Sequence, residues 1–209
     1  MAPLFPRLLI VAAVAGLVAG VVFTVLQQLF LVPAILRAEA LAPGAQAVPE
    51  GRMLRMLLTA VFNCLAAFGY GLLLAAGMLI RRHAGWLHGL AWGAAGWVSF
   101  ALAPALGMPP ELPGGTDLAL GGRQLWWIWA AAGAAGGVTL LVFGRGWVSR
   151  LAGALLGTLP HLVSAPGAGW QGLPPDAHAF AIGVVGAAAA FWLTLGAATG
   201  QLLRRRRLL

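Results

Sequence analysis

Six apolar stretches separated by short polar loops run through this chain of 209 residues, at about 8–32, 54–80, 86–106, 125–143, 147–164 and 179–203. An apolar run of roughly 18 residues or more reads as a membrane span, because about 20 residues at 1.5 Å rise cross the hydrocarbon. Backbone amides in lipid find no water, so each span must satisfy its own and is expected to be helical. The ten-residue alternation of a barrel strand is absent. Composition agrees: 61% of residues are hydrophobic and 9% charged, too little charge to coat a soluble domain. The expected fold is an all-α integral membrane protein, a single transmembrane domain over residues 1–209 with about six helices.

Charge placement orients the bundle. All thirteen basic residues are Arg, and the five acids are Glu39, Glu50, Glu111, Asp117 and Asp176. With six crossings, Arg7, Arg81, Arg82, Arg145, Arg150 and Arg204 to Arg207 share one side. Arg37, Arg52, Arg55, Arg123 and all five acids share the other. Basic loops stay cytoplasmic, which puts both termini inside. Five crossings would send the Arg204–Arg207 run outward, so the weak fifth stretch, interrupted by Thr158, Pro160 and His161, is read as a span. Arg7 and the Ala13-Val14-Ala15 triplet resemble a secretory signal, but the apolar run continues far past the triplet and reads as an uncleaved span.

Small residues recur at four-residue spacing, at Gly16 and Gly20, Gly85, Gly89 and Gly93, Gly133 and Gly137, Gly153 and Gly157, and Gly196 and Gly200. Such faces allow close helix approach and predict a tightly packed bundle. Trp86, Trp147 and the group Trp126, Trp127 and Trp129 fall near span ends, as interfacial belts do. A weak repeat relates Gly85-Trp86 and Ala103-Pro104 to Gly146-Trp147 and Ala165-Pro166, suggesting helical hairpins that each open outward through Pro and an acid.

Among polar residues, His161 stands out. It follows Pro160, which lacks an amide hydrogen and frees the carbonyl of Leu156, so a backbone oxygen and an imidazole nitrogen are both expected to be on offer to a cation. A titratable group inside a span is a functional candidate, with an interhelical hydrogen bond as the plainer alternative. Glu111 is held among Pro109, Pro110 and Pro113. Asp176 and His178 place a carboxylate and an imidazole two residues apart on the outer face. With Asp117 and Glu39, these residues form a candidate route for a divalent transition-metal ion, for which imidazole and carboxylate are ordinary ligands; solvated loops are the bland reading. Gln27 and Gln28 lie deep in the first span, and Arg123 is placed to pair with Glu111 or Asp117.

Other classes are disfavoured. The net charge of +8 sits in short groups at span ends, a topology and lipid-headgroup pattern, so nucleic acid is not an expected partner. Without Lys there is no P-loop. The lone Cys64 rules out an internal disulfide and reads as a small buried hydrophobe. Ser99, Ser149 and Ser164 lack a nucleophile-elbow setting, so no enzyme is expected.

Several segments resemble the CbtA family of proposed cobalt transporter subunits. They are Arg7-Leu8-Leu9 through Gln27-Gln28 to Val32-Pro33, then Ala103-Pro104 through Pro109-Pro110-Glu111-Leu112-Pro113-Gly114, and Arg123-Gln124-Leu125-Trp126-Trp127. Leu159-Pro160-His161-Leu162-Val163 and the ending on Phe191-Trp192 complete the set. The resemblance implies a bacterial inner-membrane protein importing cobalt for cobalamin synthesis, with a small His-bearing membrane partner, CbtB. The ion is then cargo and not a resident cofactor. The family is commonly described with five spans, where the charge count here gives six. The expected function is a permease component for a divalent cation, with membrane lipids as surroundings. Alternatives are a non-transporting scaffold or assembly factor and a substrate-binding subunit of an energy-coupled importer.

Overall fold

The computed structural model describes residues 4–41, 51–113, 120–167 and 169–206. Among them five helices are long and apolar enough to cross a bilayer: α1 (Leu4–Leu41), α2 (Arg52–Ile80), α3 (Trp86–Gly107), α4 (Leu120–Phe143) and α6 (Pro175–Arg205). The fifth apolar stretch differs. It folds as α5 (Gly146–Thr158) and then a 3-10 turn, Leu159–Leu162. Proline explains the break, since Pro160 has no N–H and its ring crowds the carbonyl four residues back.

The same chemistry distorts two longer helices without ending them. A π turn at Gln27–Leu31 precedes Pro33, and another at Val98–Leu102 precedes Pro104. Val32 N–H reaches back five residues to Gln27 O, and Ala103 N–H likewise to Val98 O. Widening the turn moves the carbonyl that would strike the proline ring and keeps neighbouring amides paired.

Packing divides the chain into two units. The first holds α1 up to Pro33, all of α2, α3 up to Ala94 and α6 from Gly186. The second holds α1 from Ala34, α3 from Ala95, α4, α5 and α6 up to Val185.

In the first unit, glycines set the helix spacing. A Cβ on Gly16 would lie 2.7 Å from Phe68 N, and one on Gly20 would lie 2.7 Å from Cys64 Cα, so α1 lies directly on the α2 backbone. Cys64 is half-buried there as a free thiol. Gly89 and Gly196 face each other's carbonyls across α3 and α6, closer than any side chain allows. Around these contacts Val11, Ala75, Met78 and Leu203 are fully buried. The Tyr70 ring lies 4.7 Å from that of Trp192, and Phe23 lies 5.1 Å from Phe191.

The loop between α2 and α3 is pinned to α6 by Gly85 N–H donating to Gly200 O at 2.7 Å. Trp92 fills the space beside Gly77 and donates its indole N–H to His83 Nδ1 at 3.1 Å. An indole only donates, so His83 must keep Nδ1 unprotonated to accept. Burial, then the neighbouring charges of His88 and Arg81, hold the His83 pKa below its ordinary value.

Two outcomes follow from this packing. Gly89→Val should destabilise the solubilised protein by about 1–3 kcal/mol through overpacking. Gly69→Val on α2, where a Cβ meets nothing within 4 Å, should cost well under that. Thermal unfolding in detergent separates the two, and equal losses would contradict the close approach. The second outcome concerns pH. A depressed histidine pKa contributes stability above the unfolded value of about 6.5, and this is lost as pH falls through the folded value. The melting temperature should drop from pH 7 to pH 5, and drop less in His83→Gln, whose amide oxygen still accepts from Trp92.

Candidate functional site

The second unit is built around the last turn of α3. Ala103, Pro104 and Ala105 are buried there, and two tryptophans from other elements close on this turn. The Trp126 ring of α4 occupies the place a Gly107 side chain would need, with a Cβ there under 3 Å from the indole. Its Nε1 points to Val163 O at 3.5 Å. Trp170 donates its indole N–H to Ala105 O at 2.7 Å. Each tryptophan also carries a histidine. His161 meets Trp126 edge-to-face with centroids 5.8 Å apart, and His178 lies 5.6 Å from Trp170. Two imidazoles 17 positions apart in sequence are thus mounted on one short turn, through the indoles.

Their hydrogen bonding differs. His178 Nδ1 lies 3.2 Å from Leu173 O. A carbonyl only accepts, so Nδ1 carries the proton and Nε2 keeps a free lone pair. This is the arrangement that orients an imidazole as a metal ligand. Among the described residues neither His178 Nε2 nor either His161 ring nitrogen has a protein hydrogen-bond partner, and both rings are only half-buried.

The carbonyl freed by Pro160 is placed differently from the sequence expectation. Leu156 O points at Gly133 of α4, 2.8 Å from where a Cβ would stand. It fills a helix–helix contact, where glycine Cα–H groups are weak donors, and is not turned to an incoming cation. The α4–α5 pair is otherwise as tight as the glycine spacing implies: a Cβ on Gly137 would lie 2.7 Å from Gly153 O.

The carboxylates divide. Glu111 pairs with Arg123, Nη2 to Oε2 at 3.3 Å, and its side chain is only 10% exposed. Met108 N–H bonds to Pro104 O at 2.9 Å, so the prolines that follow carry Glu111 out from the buried turn towards the start of α4. Asp176 is exposed in the first turn of α6, beside the helix N-terminus that favours a carboxylate. Because α6 begins at Pro175, Asp176 and His178 stand two positions apart on a helix and face different ways. Glu39 is half-buried near the end of α1. Asp117 lies outside the described residues. No three His, Cys, Asp or Glu side chains converge to hold a metal ion among the described residues.

The tryptophans are what sequence reasoning missed. Trp126 reads as an interfacial belt residue beside Trp127 and Trp129, yet it is 6% exposed against 38% for Trp129. The available signal was Gly107, a small residue ahead of a proline-rich loop that leaves room for an indole.

The chain matches a family model described as "Probable cobalt transporter subunit (CbtA)" over residues 5–204. No curated protein and no solved structure matches it. With the match running from the start of α1 to the arginine-rich end of α6, this multi-helix membrane protein belongs to the CbtA family.

Proposed function

We propose that this chain is a permease component that admits a divalent transition-metal cation, cobalt, through the bacterial inner membrane towards cobalamin synthesis. The observation that supports this most is the pair of imidazoles mounted on the last turn of α3, with His178 Nε2 and both His161 nitrogens open. Imidazole nitrogen suits cobalt and its neighbours, and a short protein ligand list lets water complete the shell. Binding must be firm enough to admit an ion and loose enough to release it. Two open imidazoles satisfy that better than a closed cage. On this reading Asp176 draws cations over the short range that salt permits, about 8 Å, and the sequence supplies Asp117 and Glu39 as further acids of the same sign. Glu111 acts through Arg123: an arriving cation competes with the guanidinium for the carboxylate. A small His-bearing membrane subunit of the CbtB kind supplies further ligands.

The orientation follows from charge. The α5 helix with its 3-10 turn measures about 28 Å at ordinary rises, close to the hydrocarbon thickness of about 30 Å. As a sixth crossing it leaves nine arginines and both termini on the cytoplasmic side and the acids on the periplasmic side.

Cobalt uptake in cells expressing the full system tests the route. His161→Ala and His178→Ala should each lower uptake at limiting cobalt by about tenfold or more, at least what removing an outer-shell partner costs a metal site. Rates unchanged in both variants, at equal membrane abundance, would remove the imidazoles from the path. Topology has its own test. In a Cys64→Ser background, a membrane-impermeant maleimide applied to intact cells should label Asp176→Cys and spare Arg206→Cys. The reverse pattern would invert the orientation.

A further inference from the structure

The end of the first unit where α2 stops and α3 begins gathers polar groups that the ion route does not use. His83 lies in the loop after α2 and His88 in the first turn of α3, with ring centroids 4.8 Å apart. Each ring is braced through Nδ1. His83 Nδ1 accepts the Trp92 indole N–H at 3.1 Å, so the neutral ring carries its proton on Nε2. His88 Nδ1 lies 3.0 Å from Ala84 O. A carbonyl only accepts, so here the proton is on Nδ1 and Nε2 keeps its lone pair. Neither Nε2 has a protein hydrogen-bond partner among the described residues. His83 is half-buried and His88 exposed, which leaves the pair open to a ligand.

A third group joins from α6. The side chain of Arg204 lies over Gly85, which falls between the two histidines in sequence. A Cβ on Gly85 would stand 3.6 Å from Arg204 Cδ and 3.8 Å from its Nη1. The Gly85 N–H bond to Gly200 O holds the loop against α6, so three elements of one packed unit set the three side chains. Among the described residues Arg204 makes no ion pair or hydrogen bond. The surrounding charge has one sign. Arg81 and Arg82 precede His83 on its own loop, and the same unit holds Arg7 on α1 and Arg205 and Arg206 beyond Arg204. No carboxylate side chain stands among the described residues of that unit.

We propose that His83, His88 and Arg204 form a binding site for a phosphate-class oxyanion. A metal cation does not fit here. His83 would have to give up the Trp92 bond to free a lone pair, and the neighbouring charges are arginines. A phosphate fits. Its oxygens accept from the Arg204 guanidinium and from His83 Nε2–H, and such charge-assisted bonds are the strong ones. At His88 the two forms of phosphate differ. A phosphate that keeps a hydroxyl donates it to His88 Nε2. A phosphodiester has only acceptors, so its binding takes up one proton from solvent at His88 Nε2, while Ala84 O goes on accepting from Nδ1–H. The site lies where α2 and α6 end and α3 begins, at the depth of lipid headgroups, so soluble phosphate and an anionic headgroup can both reach it. None of its residues belongs to the ion route, so uptake variants and anion variants fail separately.

Thermal melting of the purified full chain in nonionic detergent tests this, with inorganic phosphate, phosphatidylglycerol and zwitterionic phosphatidylcholine as probes. A ligand of the native state raises the melting temperature as its concentration rises. The expected result is saturable stabilisation by phosphate or by phosphatidylglycerol, well above that by phosphatidylcholine. Stabilisation by inorganic phosphate identifies a soluble ligand. Stabilisation by phosphatidylglycerol without it identifies the headgroup, and its half-saturating concentration should then fall from pH 8 to pH 6. Arg204→Gln and His88→Ala should each raise the half-saturating concentration about tenfold, the worth of one hydrogen bond to a charged group. Both side chains are exposed, so these variants should fold. Arg206→Gln removes the same charge close by and should change the value less than about twofold. Stabilisation by neither anion, an effect matched by phosphatidylcholine, or an equal loss in Arg206→Gln, as diffuse charge alone would give, would each overturn the proposal.

Discussion

A proline within an apolar helix leaves a carbonyl without its amide partner, and the local course of this chain depends on how three such prolines are accommodated. At Pro33 and Pro104 the chain widens into a π turn, and amides reach back five residues to keep the ladder closed. At Pro160 the helix gives way to a 3-10 turn, and Leu156 O is pressed against the bare backbone of Gly133. Each solution requires a different neighbour. The π turns need only room. The third needs a glycine on the facing helix, and Gly133 supplies it.

These distortions have consequences for the candidate site. The π turn at Val98–Leu102 sets the direction of the last turn of α3, and that turn bears both Trp126 and Trp170. The 3-10 turn at Leu159–Leu162 then delivers His161 to the edge of Trp126. Proline chemistry in two helices thus positions one imidazole, and an indole-to-carbonyl bond positions the other. Rigid aromatic frames suit this work, because an indole carries a large contact area with few torsions to freeze and one N–H to anchor it.

Much of this was legible in the sequence, for physical reasons. The span-length helices were, because lipid leaves a long apolar run few alternatives. The close helix pairs were, because only glycine permits them: the spacing of Gly16 and Gly20 or of Gly89 and Gly93 marks contacts that recur in the structure. The Arg123–Glu111 pair was one of two named possibilities. Side-chain direction was less legible. Asp176 and His178 are close in sequence, but the helix start at Pro175 turns them apart. Trp126 sits among tryptophans of similar local sequence, and only the space left by Gly107 distinguishes it. Proximity along the chain says little about convergence until the local backbone is known.

The proposed conduction of an ion does not call for a closed ligand set, and among the described residues no three His, Cys, Asp or Glu side chains gather into one. A structural metal site gathers three or four protein ligands and holds its ion for as long as the fold persists. Such depth is a disadvantage on a path, since an ion must leave as readily as it enters. On the proposed route two half-buried imidazoles, one with its donor nitrogen fixed to a carbonyl, would bind through few atoms and leave the remaining positions to water or to groups from another chain. Glu111 is paired with Arg123, so on that route its carboxylate is no standing well to trap a divalent cation. On that proposed route selectivity would come from imidazole nitrogen, and speed from how little else grips the ion. A route built this way would draw on a partner chain to complete the shell, as the family's description as a subunit implies.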